Sequence, residues 1–266
     1  MKRKIIAVAA VCALFAAAGC NNNTPAATTT TAAQAEQTTA AAENNTSASA
    51  ADVISHEDYI KADIDSPVSV ETFVQGKQSW WEDNGVGQAS FYAQNNPEGG
   101  YFLYNMPCTK EEYDKIVPGT KLRVNGFKAE WSGEIEIIDS TYEILGDETF
   151  IAAAEDVTAL LGKDELIDHQ NEFVAFKGMT VEASGDNGEA FLYKWDNSGS
   201  DGDDLYFKVS KDGTTYTFTV ESYLCDKDSQ VYSDIKNLKV GDVVDLEGFL
   251  YWYNGANPHI TSVKKA

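Results

Sequence analysis

Alternating apolar and polar positions define a repeated unit in this chain. Leu122 and Val124 alternate with polar residues in "VPGTKLRVNGFKAEWSG" (117–133), and Val244 and Leu246 do the same in "KVGDVVDLEGFLYWYNG" (239–255). A period of two predicts half-buried strands. Aligned without a gap, the segments share the pattern G-x(6)-G-F-x(3)-aromatic-[SN]-G, which indicates two copies of one structural unit.

Each copy predicts a strand that is interrupted once and then turns back. Gly126 and Gly248 stand inside otherwise good strand sequences, which indicates a bulge or a sharp bend of the sheet. The dipeptides Ser-Gly at 132–133 and Asn-Gly at 254–255 are typical of tight hairpin turns. The returning strands are then "EIEI" in the first copy and "NPHITSV" in the second.

The segments before each hairpin predict further strands and a helix. "SPVSVETFVQGKQSWW" and "NEFVAFKGMTVEAS" have the pattern of opening strands. Thr109 and Glu112 form a capping box that predicts a short helix beginning at Lys110. The second copy has a longer and less regular connector at this point. Each copy therefore has three strands, a helix and a two-stranded hairpin.

This order, with the run "VGDVVDLEGFLYWYNG" and its weaker echo "VPGTKLRVNGF", resembles the OB-fold, particularly the OB-like modules of secreted bacterial proteins. The first copy departs from the pattern with Thr120 where the second has Asp242. The resemblance implies an all-β protein with short helices, built as two tandem five-stranded OB-like barrels over 53–146 and 147–266. A generic β-sandwich is the alternative. The Ala-rich stretch after residue 150 predicts a helix that introduces the second barrel.

The N-terminal residues predict where in the cell the protein is located. "MKRKIIAVAAVCALFAAAGC" has a basic start and an apolar core too short to span a membrane. Its end, "AAAGC", resembles the lipobox of bacterial lipoproteins. This implies a signal peptide over 1–19, fatty acylation of Cys20, and anchoring at the extracytoplasmic face of the cell membrane, or of the outer membrane in a cell with two. An ordinary secretory signal cleaved near Ala18 is the alternative. Residues 20–52 lack aromatic and large aliphatic side chains and predict a disordered linker.

Aromatic side chains supply the candidate binding residues. OB-folds bind ligands on their second and third strands and the flanking loops. Strand alternation in the second hairpin predicts Phe249 and Tyr251 pointing inward and Trp252 pointing outward. Barrel filling is the alternative role for many of these aromatics. The candidate ligand-binding residues are Trp80, Trp81, Trp131, Trp195, Trp252 and Tyr253.

The charge balance narrows the expected partners. The chain has 20 Lys and Arg against 42 Asp and Glu, a net charge of −22. Nucleic-acid binding through phosphates needs several cations, so the acidity disfavours nucleic acid as a partner. The sequence therefore predicts a non-enzymatic, membrane-anchored binding module for a protein or a glycan. The alternative is a nucleic-acid-binding OB-fold lipoprotein associated with extracellular nuclease activity.

No motif for catalysis, a metal or a cofactor stands out in the sequence. The three histidines are scattered, and His259 is expected at the surface. The acidic run "WDNSGSDGDD" (195–204) fails the spacing of a calcium-binding EF-hand loop and predicts a solvated loop. Cys108 and Cys225 belong to no CxxC pair; they form either one disulfide or two free thiols.

Overall fold

A computed structural model of the protein describes residues 52–95 and 99–265, in which β-strands predominate. The predicted signal peptide, Cys20 and all but the last residue of the predicted linker lie outside the described residues. The strands are β1 (Pro67–Lys77), β2 (Trp81–Asp83), β3 (Val86–Gln94), β4 (Gly100–Pro107), β5 (Thr120–Trp131), β6 (Glu134–Thr149), β7 (Glu155–Asp156), β8 (Phe173–Glu182), β9 (Phe191–Tyr193), β10 (Leu205–Lys211), β11 (Thr214–Val220), β12 (Val243–Phe249) and β13 (His259–Lys265). The α-helices are α1 (His56–Lys61), α2 (Lys110–Lys115) and α3 (Gln230–Lys236), and 3-10 helices span Thr158–Leu160 and Asp164–His169.

The second sheet, β7 to β13, contains a closed five-stranded barrel. β8 pairs antiparallel with both β10 and β12, and β10 pairs antiparallel with β11. β11 lies parallel to β13, which is antiparallel to β12. This pairing closes the ring in the strand order of an OB-fold, so the OB-like part of the prediction is confirmed for this sheet.

The first sheet has six strands in the order β1-β5-β6-β4-β3-β2. β1 pairs antiparallel with β5 and also with β3. β3 is antiparallel to β4, and β4 lies parallel to β6. The first sheet therefore ends at Thr149, and the second begins at Glu155.

Both glycine positions predicted to interrupt a strand lie at irregularities of the sheet. The register shifts between Asn125 and Phe127, and again between Glu247 and Gly248. A Cβ atom on Gly126 would lie 2.7 Å from the Ile138 carbonyl oxygen, and one on Gly248 would lie 2.2 Å from that of His259. A neighbouring backbone, rather than a positive φ, therefore requires glycine at these two positions.

The predicted 132–133 turn and the helix start are confirmed, whereas Asn254 and Gly255 lie in the nine-residue 250–258 segment between β12 and β13 rather than in a tight two-residue turn. Ser132 and Gly133 both have positive φ, 54° and 90°, as a tight hairpin turn requires. The Thr109 side chain accepts a hydrogen bond from the Glu112 amide, and the Glu112 side chain accepts one from the Thr109 amide, so α2 begins with a complete capping box.

The helix predicted in the Ala-rich stretch is wrong. Residues 150–154 have no regular structure, and the short strand β7 follows them. Ala152 is held instead by its backbone amide, which donates to Gln75 Oε1 at 2.8 Å. This hydrogen bond to a side chain of the first sheet satisfies the Ala152 amide, which therefore needs no partner within a helix. In residues 52–95 and 99–265, no helix is long and apolar enough to span a membrane.

Three apolar clusters organise the packing of the described residues. One fills the barrel of the second sheet, and another fills the first sheet and includes Tyr59 of α1. The third, here called the inter-sheet cluster, joins the two sheets. It consists of Tyr92, Phe102 and Phe249, with Phe173, Leu224 and Tyr251 packed against them.

Candidate functional site

A groove of about 390 Å³ lies on the outer face of the barrel in the second sheet. Its floor is formed by β10 and β11, the second and third strands of the five-stranded ring. One wall comes from the 183–204 segment, and the other from the 250–258 hairpin. This is the surface with which OB-folds bind their ligands. The groove is lined by Ser184, Leu192, Trp195, Tyr206, Phe207, Lys208, Thr217, Tyr253, Ala256 and Asn257.

Strand alternation explains which side chains reach the groove. In β10, Leu205, Phe207 and Val209 are buried in the barrel, so Tyr206 and Lys208 point to the outer face. Sequence reasoning missed Lys208, although its position between two apolar residues of a strand is the signal that places it outside the barrel.

Two strongly exposed aromatic side chains stand on the walls of the groove. Trp195 is 75% exposed, although it is the largest side-chain type, and Tyr253 is 50% exposed. Lys194, immediately before Trp195, has a positive φ of 59°, so the chain turns sharply there after β9. Aromatic surface left open in this way is a feature of binding sites.

The polar groups of the groove are mostly uncharged. Burial, followed by the nearby carboxyls of Asp204 and Glu221, raises the pKa of Tyr206 to about 12, so this phenol stays neutral at physiological pH. Among the described residues that line the groove, Lys208 is the single cation. The site therefore combines aromatic surface, neutral hydrogen-bonding groups and one positive charge.

The hairpin of the first sheet extends this aromatic surface. The ring of Trp131 lies 5.2 Å from that of Tyr253, and Trp131 is 53% exposed. The two hairpins are held together by the Asn254 amide, which donates to the Ser132 carbonyl oxygen at 2.7 Å. Three of the predicted ligand-binding residues, Trp131, Trp195 and Tyr253, thus lie along one surface.

The other three candidates lie elsewhere or are partly buried. Trp80 packs against the core of the first sheet and donates from Nε1 to the Cys108 carbonyl oxygen at 2.9 Å. Trp81 is 42% exposed in β2 of the first sheet. Trp252 is half-buried against the barrel core rather than pointing outward, and its amide donates to Glu134 Oε2 at 2.8 Å.

His259 is buried, which corrects the expectation of a surface position. It is 6% exposed, its ring stacks on that of Tyr251 at 4.5 Å, and its Nδ1 lies 3.0 Å from the Tyr92 hydroxyl oxygen. Burial lowers the pKa of His259 to about 3, so its imidazole is neutral. The residue begins β13 where the two sheets meet, a long-range contact that the local sequence does not indicate.

The carboxylates of the acidic run form hydrogen bonds and an ion pair, and the two cysteines are not bonded to each other. Asp196 Oδ1 accepts from the Ser198 amide, and Asp203 Oδ2 accepts from the Ser200 amide, so these carboxylates cap turns within their own loop. Asp201 pairs with Lys236 of α3. Among the described residues, Cys108 and Cys225 are free thiols, which settles the alternative left open by the sequence.

Comparison with known proteins gives matches among solved structures. A scan against protein-family models finds no match, and a search of curated proteins finds none. A murine DNA-binding protein bound with double-stranded DNA is 11% identical, with a TM-score of 0.35, over 74% of this chain and 97% of that one. A replication protein A heterotrimer bound to single-stranded DNA is 12% identical, with a TM-score of 0.32, over 75% and 48%. A single-stranded DNA-binding protein from Thermus aquaticus is 11% identical, with a TM-score of 0.24, over 75% and 93%.

The names of these neighbours differ from the partner expected from the sequence. All three are DNA-binding proteins by their names, whereas the sequence predicts a protein or glycan partner and relies on the argument that acidity disfavours nucleic acid. The physical flaw in that argument is that net charge sums the whole chain. A binding groove is local, and stacking on aromatic rings needs no positive charge.

Proposed function

We propose that the protein binds single-stranded nucleic acid in the groove over β10 and β11. The observation that carries this proposal is the side-chain set of the groove: exposed Trp195 and Tyr253 on its walls, with Tyr206 and Lys208 on its floor. Every nucleobase has a π-face, and stacking one base on an aromatic side chain contributes about 1–3 kcal/mol.

The proposal specifies a single strand rather than a duplex. In a duplex the base faces are covered by their neighbours, and proteins hold the backbone mainly through several cations. With Lys208 as its one lining cation, the groove is poorly suited to a duplex backbone. Unstacked bases can instead lie against Trp195, Tyr253 and, where the surface continues, Trp131. The proposed role is binding without chemical change of the nucleic acid.

The proposal includes a second OB-like barrel, formed by the first sheet. Its support is the set of pairings of β1, which lies beside both β3 and β5, with β4 parallel to β6. This is the same order of neighbours as in the barrel of the second sheet. The arrangement proposed is two tandem barrels, with the division near residue 147.

The proposal also includes a lipid anchor at the extracytoplasmic face of the membrane. Its support is the "AAAGC" sequence, with Cys20 as the acylated residue. Cys20→Ser should move the protein from the membrane fraction to the soluble fraction, or leave an uncleaved precursor. A Ser variant that is correctly cleaved and still membrane-bound would refute the anchor.

The binding proposal is tested by titrating the protein with a fluorescently labelled oligothymidylate. Trp195→Ala removes one stacking platform and should weaken binding about 5- to 150-fold, corresponding to the loss of one stacked base at about 1–3 kcal/mol. Trp81→Ala is the matched control because Trp81 is also an exposed tryptophan but lies in the first sheet, away from the groove. Equal affinities of the two variants and the wild type, or no binding by the wild type, would refute the proposal.

A further inference from the structure

Three potential metal ligands meet at the start of the second sheet, in β7 and the connection from β7 to β8. Glu155 begins β7, His169 ends the second 3-10 helix, and Glu172 immediately precedes β8. One ligand atom from each lies within 4.8 Å of the other two. The residues are separated by up to seventeen positions in the chain, so the fold, rather than local sequence, brings them together.

The distances are close to those of a metal site. His169 Nδ1 lies 2.9 Å from Glu172 Oε2 and 3.9 Å from Glu155 Oε2. Ligand atoms around a tetrahedral Zn²⁺ at its usual bond lengths are about 3.4 Å apart. These two separations differ from the tetrahedral value by about 0.5 Å each, and the two carboxylate oxygens lie within 4.8 Å of each other. Side-chain rotation supplies shifts of this size.

Glu172 is a fixed and buried member of this group. Its side chain is 5% exposed, and Oε1 accepts from the Gly99 amide at 3.1 Å. Its backbone carbonyl oxygen accepts from the Leu250 amide at 3.0 Å. Glu155, in contrast, has a side chain that is 59% exposed and free to adjust. One preorganised ligand and one adjustable ligand suit capture of an ion from solution.

The charges of the three side chains also favour a bound cation. Two carboxylates surround one imidazole, so the group remains negative even with His169 protonated. Within residues 52–95 and 99–265, neither glutamate forms an ion pair with a lysine or an arginine. Glu172 Oε1 accepts from the Gly99 amide and Oε2 lies 2.9 Å from His169 Nδ1, and a bound metal ion adds the full positive charge that favours a buried carboxylate.

We propose that Glu155, His169 and Glu172 bind a divalent transition-metal ion of the Zn²⁺ type. One imidazole nitrogen and two carboxylate oxygens match zinc, with water in the fourth position. Mg²⁺ and Ca²⁺ need more oxygen ligands than this group offers. The ion ties the connection from β7 to β8 to Gly99, which immediately precedes β4, and to Leu250, which leads into the hairpin of the groove.

Isothermal titration of the full, chelator-treated chain with Zn²⁺ tests the site. The wild type should bind one ion, and Mg²⁺ at the same concentration should give no saturation. His169→Ala and Glu155→Gln should each weaken Zn²⁺ binding by more than about tenfold, because loss of even an outer-shell partner costs that much. Both changes avoid the buried Glu172, and circular dichroism verifies that each variant is folded.

Glu165→Gln is the matched control, because Glu165 is an exposed carboxylate of the same 3-10 helix outside the group. It should bind Zn²⁺ as the wild type does. Zn²⁺ should also raise the melting temperature of the wild type and of this control, but not of His169→Ala. Absence of a one-to-one site in the wild type, or undiminished binding by either ligand variant, would overturn the assignment.

Discussion

Adjacent residues of the hairpin after β12 have different partners. Phe249 stacks on Tyr92 of the first sheet with ring centroids 4.3 Å apart and planes 2° apart. Leu250 is buried in the barrel core, and Trp252 packs against the same core. Alternation predicts two sets of side chains, but not that the set with Phe249 lies between the sheets rather than inside the barrel. Contacts between distant parts of a chain are absent from a local pattern.

Substitutions in this hairpin should distinguish three environments, which are the contact between the sheets, the barrel core and the exposed end of the hairpin. Phe249→Ala removes a stacked, buried ring and should lower the free energy of unfolding by about 3–5 kcal/mol. Tyr253→Ala, at the exposed end of the same hairpin, should change it by less than about 1 kcal/mol. Trp252→Ala, which loses a half-buried ring, should fall between them. Urea denaturation measures all three, and a Phe249→Ala variant as stable as Tyr253→Ala would contradict the inter-sheet role.

At the scale of elements, the repeat predicts the parts of the fold that depend on short-range chemistry. The bulges at Gly126 and Gly248, the 132–133 turn and α2 follow from glycine, turn and capping rules, and all are present. Three of the six candidate binding residues share the proposed surface, because the resemblance identifies the face on which OB-folds bind. The connection between the sheets is not predictable in this way, because it is shaped by contacts such as that of Gln75 with Ala152.

The strand β6 carries two buried carboxyls that should make stability depend on pH. Burial raises the pKa of Glu134 to about 8 and that of Glu136 to about 7. Both values exceed the ordinary 4.5, so between about pH 4.5 and 8 the folded state holds more protons than the unfolded state. Stability contributed by these groups therefore falls as pH rises through that window. His259 acts oppositely, because its lowered pKa makes its contribution rise with pH, but only up to about pH 6.5.

The effect of the carboxyls should thus be clearest between about pH 6.5 and 8, where the melting temperature should decrease. Glu134→Gln and Glu136→Gln cannot ionise and should flatten this decrease. In Glu134→Gln, the glutamine carbonyl can still accept the hydrogen bond that the Trp252 amide donates to Glu134. Glu130→Gln is the control, because Glu130 is exposed on the neighbouring strand β5. A pH slope that is equal in all four proteins would exclude β6 as its source.

At the scale of the whole molecule, a net charge of −22 opposes any polyanion at long range. This repulsion is screened beyond about 8–10 Å at physiological salt, whereas ring stacking acts at contact. The acidic chain and the proposed ligand are compatible if the free energy of binding comes from the bases. A protein that binds through its aromatic groove should then have an affinity that depends less on salt concentration than that of basic nucleic-acid-binding proteins.

The dependence of affinity on salt concentration measures how many phosphates the protein neutralises. Each phosphate neutralised on a single strand contributes about −0.7 to the slope of log K against log salt, so six contacts give about −4. With Lys208 as the one lining cation, the slope for an oligothymidylate should be no steeper than about −1 between about 50 and 200 mM salt. Lys208→Gln should bring the slope close to zero with little loss of affinity. Trp195→Ala should weaken binding at every salt concentration and leave the slope unchanged, because it removes a stacking platform and no charge. A slope of about −3 or steeper in the wild type would mean that phosphate contacts dominate, and the groove would then not be the site that holds the strand.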